Sequence, residues 1–198
     1  MVMNIVRELT RLDRQSLEHH FLALGAEDRR LRFGIPLSDT AVRAYVARID
    51  FERDAAFGVL DDALQLIGAA HLARDRGNAE LGISVLPGSR GRGIGGALLG
   101  RAHTHARNWG VRTLFMHCLA ENGTIMRLAR RQGMAIVAES GEADAWLQLA
   151  PADASSHFGA VFEQRVALFD QVLKTSLANA KRIAEAVKRE TASPAQEK

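Results

Sequence analysis

The chain has 198 residues, a formal net charge of +3 at pH 7, 47% hydrophobic residues and 6% aromatic ones. That is enough apolar material for one buried core with an appendage, while the weak basic excess and scarce aromatics exclude a broad nucleic-acid face. No stretch approaches the roughly 18 to 20 apolar residues of a membrane span, the start Met1-Val2-Met3-Asn4-Ile5-Val6-Arg7 lacks a signal-peptide core, and the single Cys118 suits a reducing cytoplasm.

In chain order, residues 4–12 read as a first strand, and Asp13 is placed to cap a helix over 14–24. Helices follow over 26–33 and 39–49, separated by Pro36. Strands are expected over 55–60 and 64–74 around Asp61-Asp62, and over 79–86 after the turn Asp75-Arg76-Gly77-Asn78. A helix over 94–109, a strand over 113–119, a helix over 123–132 and a strand over 135–149, interrupted near Gly141, complete the body. The class is α/β in the broad sense (α+β), with one domain over 1–150.

Pro151-Ala152-Asp153-Ala154-Ser155-Ser156 marks a boundary. Over 151–198, Phe158, Val161, Phe162, Phe169, Val172, Leu173, Leu177, Ala180, Ile183, Ala184 and Val187 recur at three- and four-residue steps, so one long amphipathic helix is expected. Its apolar stripe has two candidate covers, the body of its own chain and a second copy in a homodimer. Glu163, Asp170 and Glu185 on its polar face argue against a membrane surface. The end, 190–198, reads as a polar, disordered tail.

The most informative segment is Ile83-Ser84-Val85-Leu86-Pro87-Gly88-Ser89-Arg90-Gly91-Arg92-Gly93-Ile94-Gly95-Gly96-Ala97-Leu98-Leu99. An apolar strand enters a basic glycine-rich loop and then an apolar helix. Gly91, Gly93, Gly95 and Gly96 lack Cβ atoms, so consecutive N–H groups can turn toward one anion. The helix beginning near Ile94 adds its positive end, and Arg90 and Arg92 add formal charge suited to phosphate oxygens. A plain surface turn has little need of four glycines and two arginines. Gly91, Gly93 and Gly96 also fit G-x-G-x-x-G, with Glu121 near the place of a ribose-binding acid. However, Pro87-Gly88-Ser89-Arg90 intervene after the strand and no βαβ alternation precedes it. A P-loop is excluded, because no Gly-Lys-Ser/Thr follows.

Arg90-x-x-Gly93-x-Gly95 after a strand ending Val85-Leu86-Pro87 resembles the acetyl-CoA motif of the GNAT N-acetyltransferase superfamily, and Leu119 to Met134 resembles its downstream strand and Asn-led helix. The resemblance covers roughly residues 4 to 149. It implies a mixed, mostly antiparallel central sheet flanked by helices, and acetyl-CoA as acyl donor held by Val85, Arg90, Gly91, Arg92, Gly93, Ile94, Gly95, Gly96 and Asn122. It also implies a backbone group at Val85 that polarises the thioester carbonyl where the central strands splay. The acidic-then-Arg-Phe stretch 26–33 is similar to the start of the GNAT domains of bacterial protein-lysine acetyltransferases. Its plainer reading is an amphipathic helix with paired charges.

Acetyl transfer needs an unprotonated amine, a polarised carbonyl and a proton for the departing thiolate. Glu80, on the strand leading to the loop, is the candidate general base; its alternative is a solvated strand-end glutamate. Asn122 is read as both a helix cap and a cofactor contact. Many family members carry a tyrosine acid where this chain has Ala129. Tyr45 is the only tyrosine, read as a pocket or packing residue, and His117 and Cys118 are candidate substitutes better read as core. His103 and His105 have no acid at ligand spacing, so no metal is expected. The expected activity is N-acetylation of a primary amine, on a protein lysine or a small molecule. The alternative is a non-catalytic CoA-binding sensor or assembly module.

Overall fold

In the computed structural model, which describes residues 4–152 and 154–191, seven strands form one open sheet flanked by helices on both faces. The strands are β1 (Arg7–Leu9), β2 (Ala55–Leu60), β3 (Leu66–Asp75), β4 (Asn78–Val85), β5 (Thr113–Leu119), β6 (Ala135–Glu139) and β7 (Glu142–Gln148), in spatial order β1-β2-β3-β4-β5-β7-β6. All pairings are antiparallel except β4 with β5. The helices are α1 (Arg14–Leu22), α2 (Ala26–Phe33), α3 (Asp39–Arg48), α4 (Ile94–Asn108), α5 (Gly123–Arg131) and α6 (Ala154–Thr191).

Alternation along the strands builds two cores. One face of the sheet, with Phe57, Leu72 and Leu81, packs on Ile94, Leu98 and Leu99 of α4. The other, with Ala56, Leu66 and Ala69, packs on Leu17 and Phe21 of α1 and Val42 and Val46 of α3. Gly68 of β3 lets α4 approach, since a Cβ there would stand 2.5 Å from Ile94 Cγ2.

Four expectations need correction. The first strand covers only Arg7–Leu9, because Thr10 starts a short helical turn closed by a capping box with Asp13. Asp13 therefore serves Thr10 and Arg7 and makes no side-chain cap bond to α1. Residues 135–149 are not one interrupted strand but a hairpin, β6 and β7, turned through Ser140 and Gly141 at φ +53° and +89°. Finally, α6 lies beside α4 and β1 with Ala167 buried, yet it leaves most of its apolar stripe in solvent: Phe162 and Phe169 are each 70% exposed. Glu163 meets Arg101, and Lys174 donates to the Leu60 carbonyl at 3.0 Å, so polar contacts share the seam. The side chains of Phe158, Ile183, Ala184 and Val187, and the tail from 192, lie outside the described residues. α6 itself runs two residues into the stretch read as tail.

Candidate active site

β4 and β5 pair only from Asn78–Glu80 with Thr113–Phe115 and then part. The bond from Leu86 N–H to the Ile67 carbonyl (2.9 Å) fixes the alternation on the other side of β4. With Gly68 opposite Val85, residues Glu80, Gly82 and Ser84 bond to β3, while Leu81, Ile83 and Val85 turn their backbone groups toward β5. Beyond the Glu80–Phe115 pairing there is no β5 ladder to receive Ile83 and Val85. The Val85 N–H thus points into the opening, and the Val85 carbonyl accepts from Arg90 Nε at 3.1 Å.

The opening continues into a cleft of about 480 Å³, lined by Ile83, Ser84, Val85, Arg90, Gly91, Gly93, Ile94, Gly95, Gly96 and Asn122. Gly91 and Gly93 adopt φ +74° and +80°, and Gly93 caps α4, whose first N–H groups have no helical acceptors. A Cβ at Gly91 would meet nothing, and at Gly95 or Gly96 it would reach only ordinary contact with Leu128 at 3.5 and 3.8 Å. The left-handed backbone accounts for glycine at Gly91, but the protein's own conformation and packing give no reason for it at Gly95 and Gly96. Their bareness leaves the backbone open to the cleft, a cradle that fits a pyrophosphate. Asn122 Oδ1 accepts from Ile125 N–H at 3.2 Å, capping α5, and the residue also lines the cleft.

Two residues of the sequence reading stand apart from this group. Arg92 is exposed and outside the lining, its carbonyl held by Asn4 Nδ2 at 2.7 Å. Glu80 is exposed on the opposite side of β4 from Val85's core-facing side chain, on the face that carries Gly82 and Ser84. Glu121 forms an ion pair with Arg30 at 2.6 Å rather than facing the glycines. Ala129, at the family's tyrosine position, is buried in the core.

The structure adds residues that sequence reasoning passed over, and it corrects one that it named: His117, expected in the core, is exposed on β5. α2 closes one side of the cleft through Asp28, Leu31 and Arg32. Asp28 pairs with Arg90 at 2.7 Å, and Asn122 Nδ2 donates to the Leu31 carbonyl at 3.4 Å. Arg32 Nη2 donates to Tyr45 OH (3.1 Å), Tyr45 OH lies 2.7 Å from His71 Nδ1, and His71 Nε2 lies 3.2 Å from Asp54 Oδ2. Because a guanidinium only donates and a carboxylate only accepts, the tyrosine proton points to Nδ1 and the His71 proton sits on Nε2. Burial, and then the Arg32 charge, hold His71 below its ordinary pKa. His20 Nδ1 donates to the Leu66 carbonyl and Nε2 accepts from Ser84 Oγ, both at 2.8 Å. Burial is the main reason that His20 titrates at about 4. On β5, His117 bonds Asp144 at 2.8 Å, which raises its pKa. One sequence signal did exist: Gly82 in mid-strand marks a close approach, and the group that approaches is the Arg32 guanidinium.

A mostly antiparallel sheet whose one parallel pair opens beside a glycine-lined helix N-terminus is the arrangement that the resemblance to acyl-CoA-dependent transferases of the GNAT superfamily implies. The sequence model described as acetyltransferase (GNAT) family matches residues 18–134, and the chain belongs to that family. It is an N-acetyltransferase with acetyl-CoA as donor. A search of curated protein sequences found no significant match. Among solved structures, the GNAT domain of S. lividans PAT superposes with TM-score 0.63 at 22% identity, over 73% of this chain and 89% of that one. The ribosomal-protein-S18-alanine N-acetyltransferase from Escherichia coli gives 0.59 at 20%, over 77% and 97%. A phosphinothricin acetyltransferase from Sinorhizobium meliloti, in complex with AcCoA, gives 0.59 at 18%, over 77% and 95%. At these identities the likeness establishes the fold.

Proposed function

We propose that the protein acetylates a primary amine by direct attack on acetyl-CoA, with Glu80 as general base. The carrying observation is the Val85 N–H turned into a strand opening that leads straight to the glycine cradle. In this reading Gly91, Gly93, Ile94, Gly95 and Gly96 hold the pyrophosphate with Arg90, Asn122 contacts the cofactor arm, and Arg92, outside the cleft lining, contributes only its longer-range positive charge. The Val85 N–H polarises the thioester carbonyl. Glu80, about 16 Å along β4 from Val85, takes a proton from the ammonium through a chain of water; the nitrogen then bonds to the acetyl carbon as the C–S bond breaks and releases its second proton to solvent. The thiolate takes its proton from solvent, because Ala129 offers none. A protein lysine and a small-molecule amine both meet this chemistry. The free, buried Cys118 is consistent with a reducing cytoplasm.

Calorimetric titration with acetyl-CoA, with NAD as control ligand, tests the cradle. Saturable binding of acetyl-CoA without a NAD response is the expected outcome. Absence of acetyl-CoA binding would remove the assignment of these residues.

A further inference from the structure

Arg32 carries a charge that nothing beside it answers. Arg29 is paired with Asp39, and Arg30 with Glu27 and Glu121, but Arg32 has no ion pair among the described residues. Its one hydrogen bond goes to Tyr45, and its guanidinium lies among the rings of Phe21, Phe33 and Tyr45, 4.8 to 5.9 Å from their centroids. Its Nε is buried without an acceptor. The acid that orients this arrangement, Asp54, stands behind Tyr45 and His71, so its charge does not reach the guanidinium directly.

The position is as telling as the charge. Arg32 lines the same cleft as Val85 and rests on Gly82, where any Cβ would collide with the guanidinium. Gly82 lies between Glu80 and Ser84 on the β4 face opposite the core-facing side chains. Two residues of strand span about 7 Å, so a molecule held by the guanidinium places a nearby amine within reach of Glu80. A planar guanidinium with spare donors, walled by rings, matches a carboxylate.

We propose that Arg32 binds a carboxylate carried by the acceptor, so that the amine acetylated belongs to a free amino acid. This rests on the acyltransferase reading above and names its substrate class. Two measurements separate the two. The first needs no turnover: calorimetric titration of L-lysine, L-phenylalanine and L-methionine into the protein, against cadaverine and phenethylamine, which lack the carboxylate. The second is kcat/KM for the same compounds with acetyl-CoA.

At least one amino acid is expected to exceed its carboxylate-free counterpart by roughly 10- to 100-fold in both, the range for a charged hydrogen bond. Arg32→Gln should bring that ratio toward one while acetyl-CoA affinity is kept. Gly82→Ala, which displaces the guanidinium without removing its charge, should lower the ratio too and stands in if the first variant fails to fold. Equal binding of acids and amines by the wild type, or a ratio unchanged in both variants, overturns the proposal. A preference for succinyl-CoA over acetyl-CoA that disappears in Arg32→Gln would move the carboxylate to the acyl chain and overturn the acceptor assignment. Failure of acetyl-CoA binding with the amino-acid preference intact would overturn the acyltransferase site alone.

Discussion

At the scale of single residues, the proposed chemistry turns on Glu80 and its neighbours on one face of β4. Glu80→Gln keeps shape and removes the base, so turnover at neutral pH should fall about 100- to 10,000-fold, with acetyl-CoA affinity unchanged. A rate equal to wild type would take Glu80 out of the mechanism. His20 is a stability determinant of opposite character. Its pKa is 6.5 in the unfolded chain and about 4 in the fold, so the unfolded state binds the extra proton between those values. Stability from this group is therefore complete above pH 6.5 and is lost as pH falls toward 4, by about 3 kcal/mol at most. Urea denaturation between pH 7 and 4.5 should show the decline, and a flat profile would contradict the neutral, Leu66-bound imidazole. That Glu80 and Val85 point to opposite faces of one strand and that Asn122 caps α5 is legible in the sequence, because strand parity and capping chemistry are local. The Arg32, Tyr45, His71 and Asp54 chain was not, since its members come from four separate segments and each has an ordinary local explanation.

At the scale of elements, the seating of α4 governs both the core and the cradle. Gly68→Ala drives a methyl into Ile94 at the first position of the helix, an overpacking that should cost about 1 to 3 kcal/mol. Denaturation midpoints measure the loss, and unchanged stability would mean that α4 sits farther from β3. Most element limits were readable to within a residue or two, because hydrophobic period and turn residues agree with the tertiary fold. The exceptions have particular causes. Thr10 and Asp13 satisfy each other and end β1 early. Ser140-Gly141 was read as an interruption although its two positive φ angles reverse the chain. The register in which β4 leaves β5 could not be read at all, because it depends on long-range pairing.

For the whole molecule, the open question posed by the chain is the face of α6. Val161, Phe162, Leu168, Phe169, Val172, Leu173 and Leu177 are all at least 50% exposed, an apolar strip that monomers rarely leave bare. Covering by a second copy predicts that Phe162→Ser with Phe169→Ser lowers the mass seen by light scattering to that of a monomer. Melting of each subunit should change little, since neither ring touches its own core. A wild type that is monomeric at all concentrations would dismiss the pairing. The parted strands have a wider meaning for the sheet. Past the Glu80–Phe115 pairing, the Ile83 and Val85 N–H groups of β4 have no backbone partner among the described residues, so on the proposed reading the sheet is completed there by the donor's own amides. On that reading the reactant does the work of a missing strand, and each turnover briefly completes the sheet and opens it again.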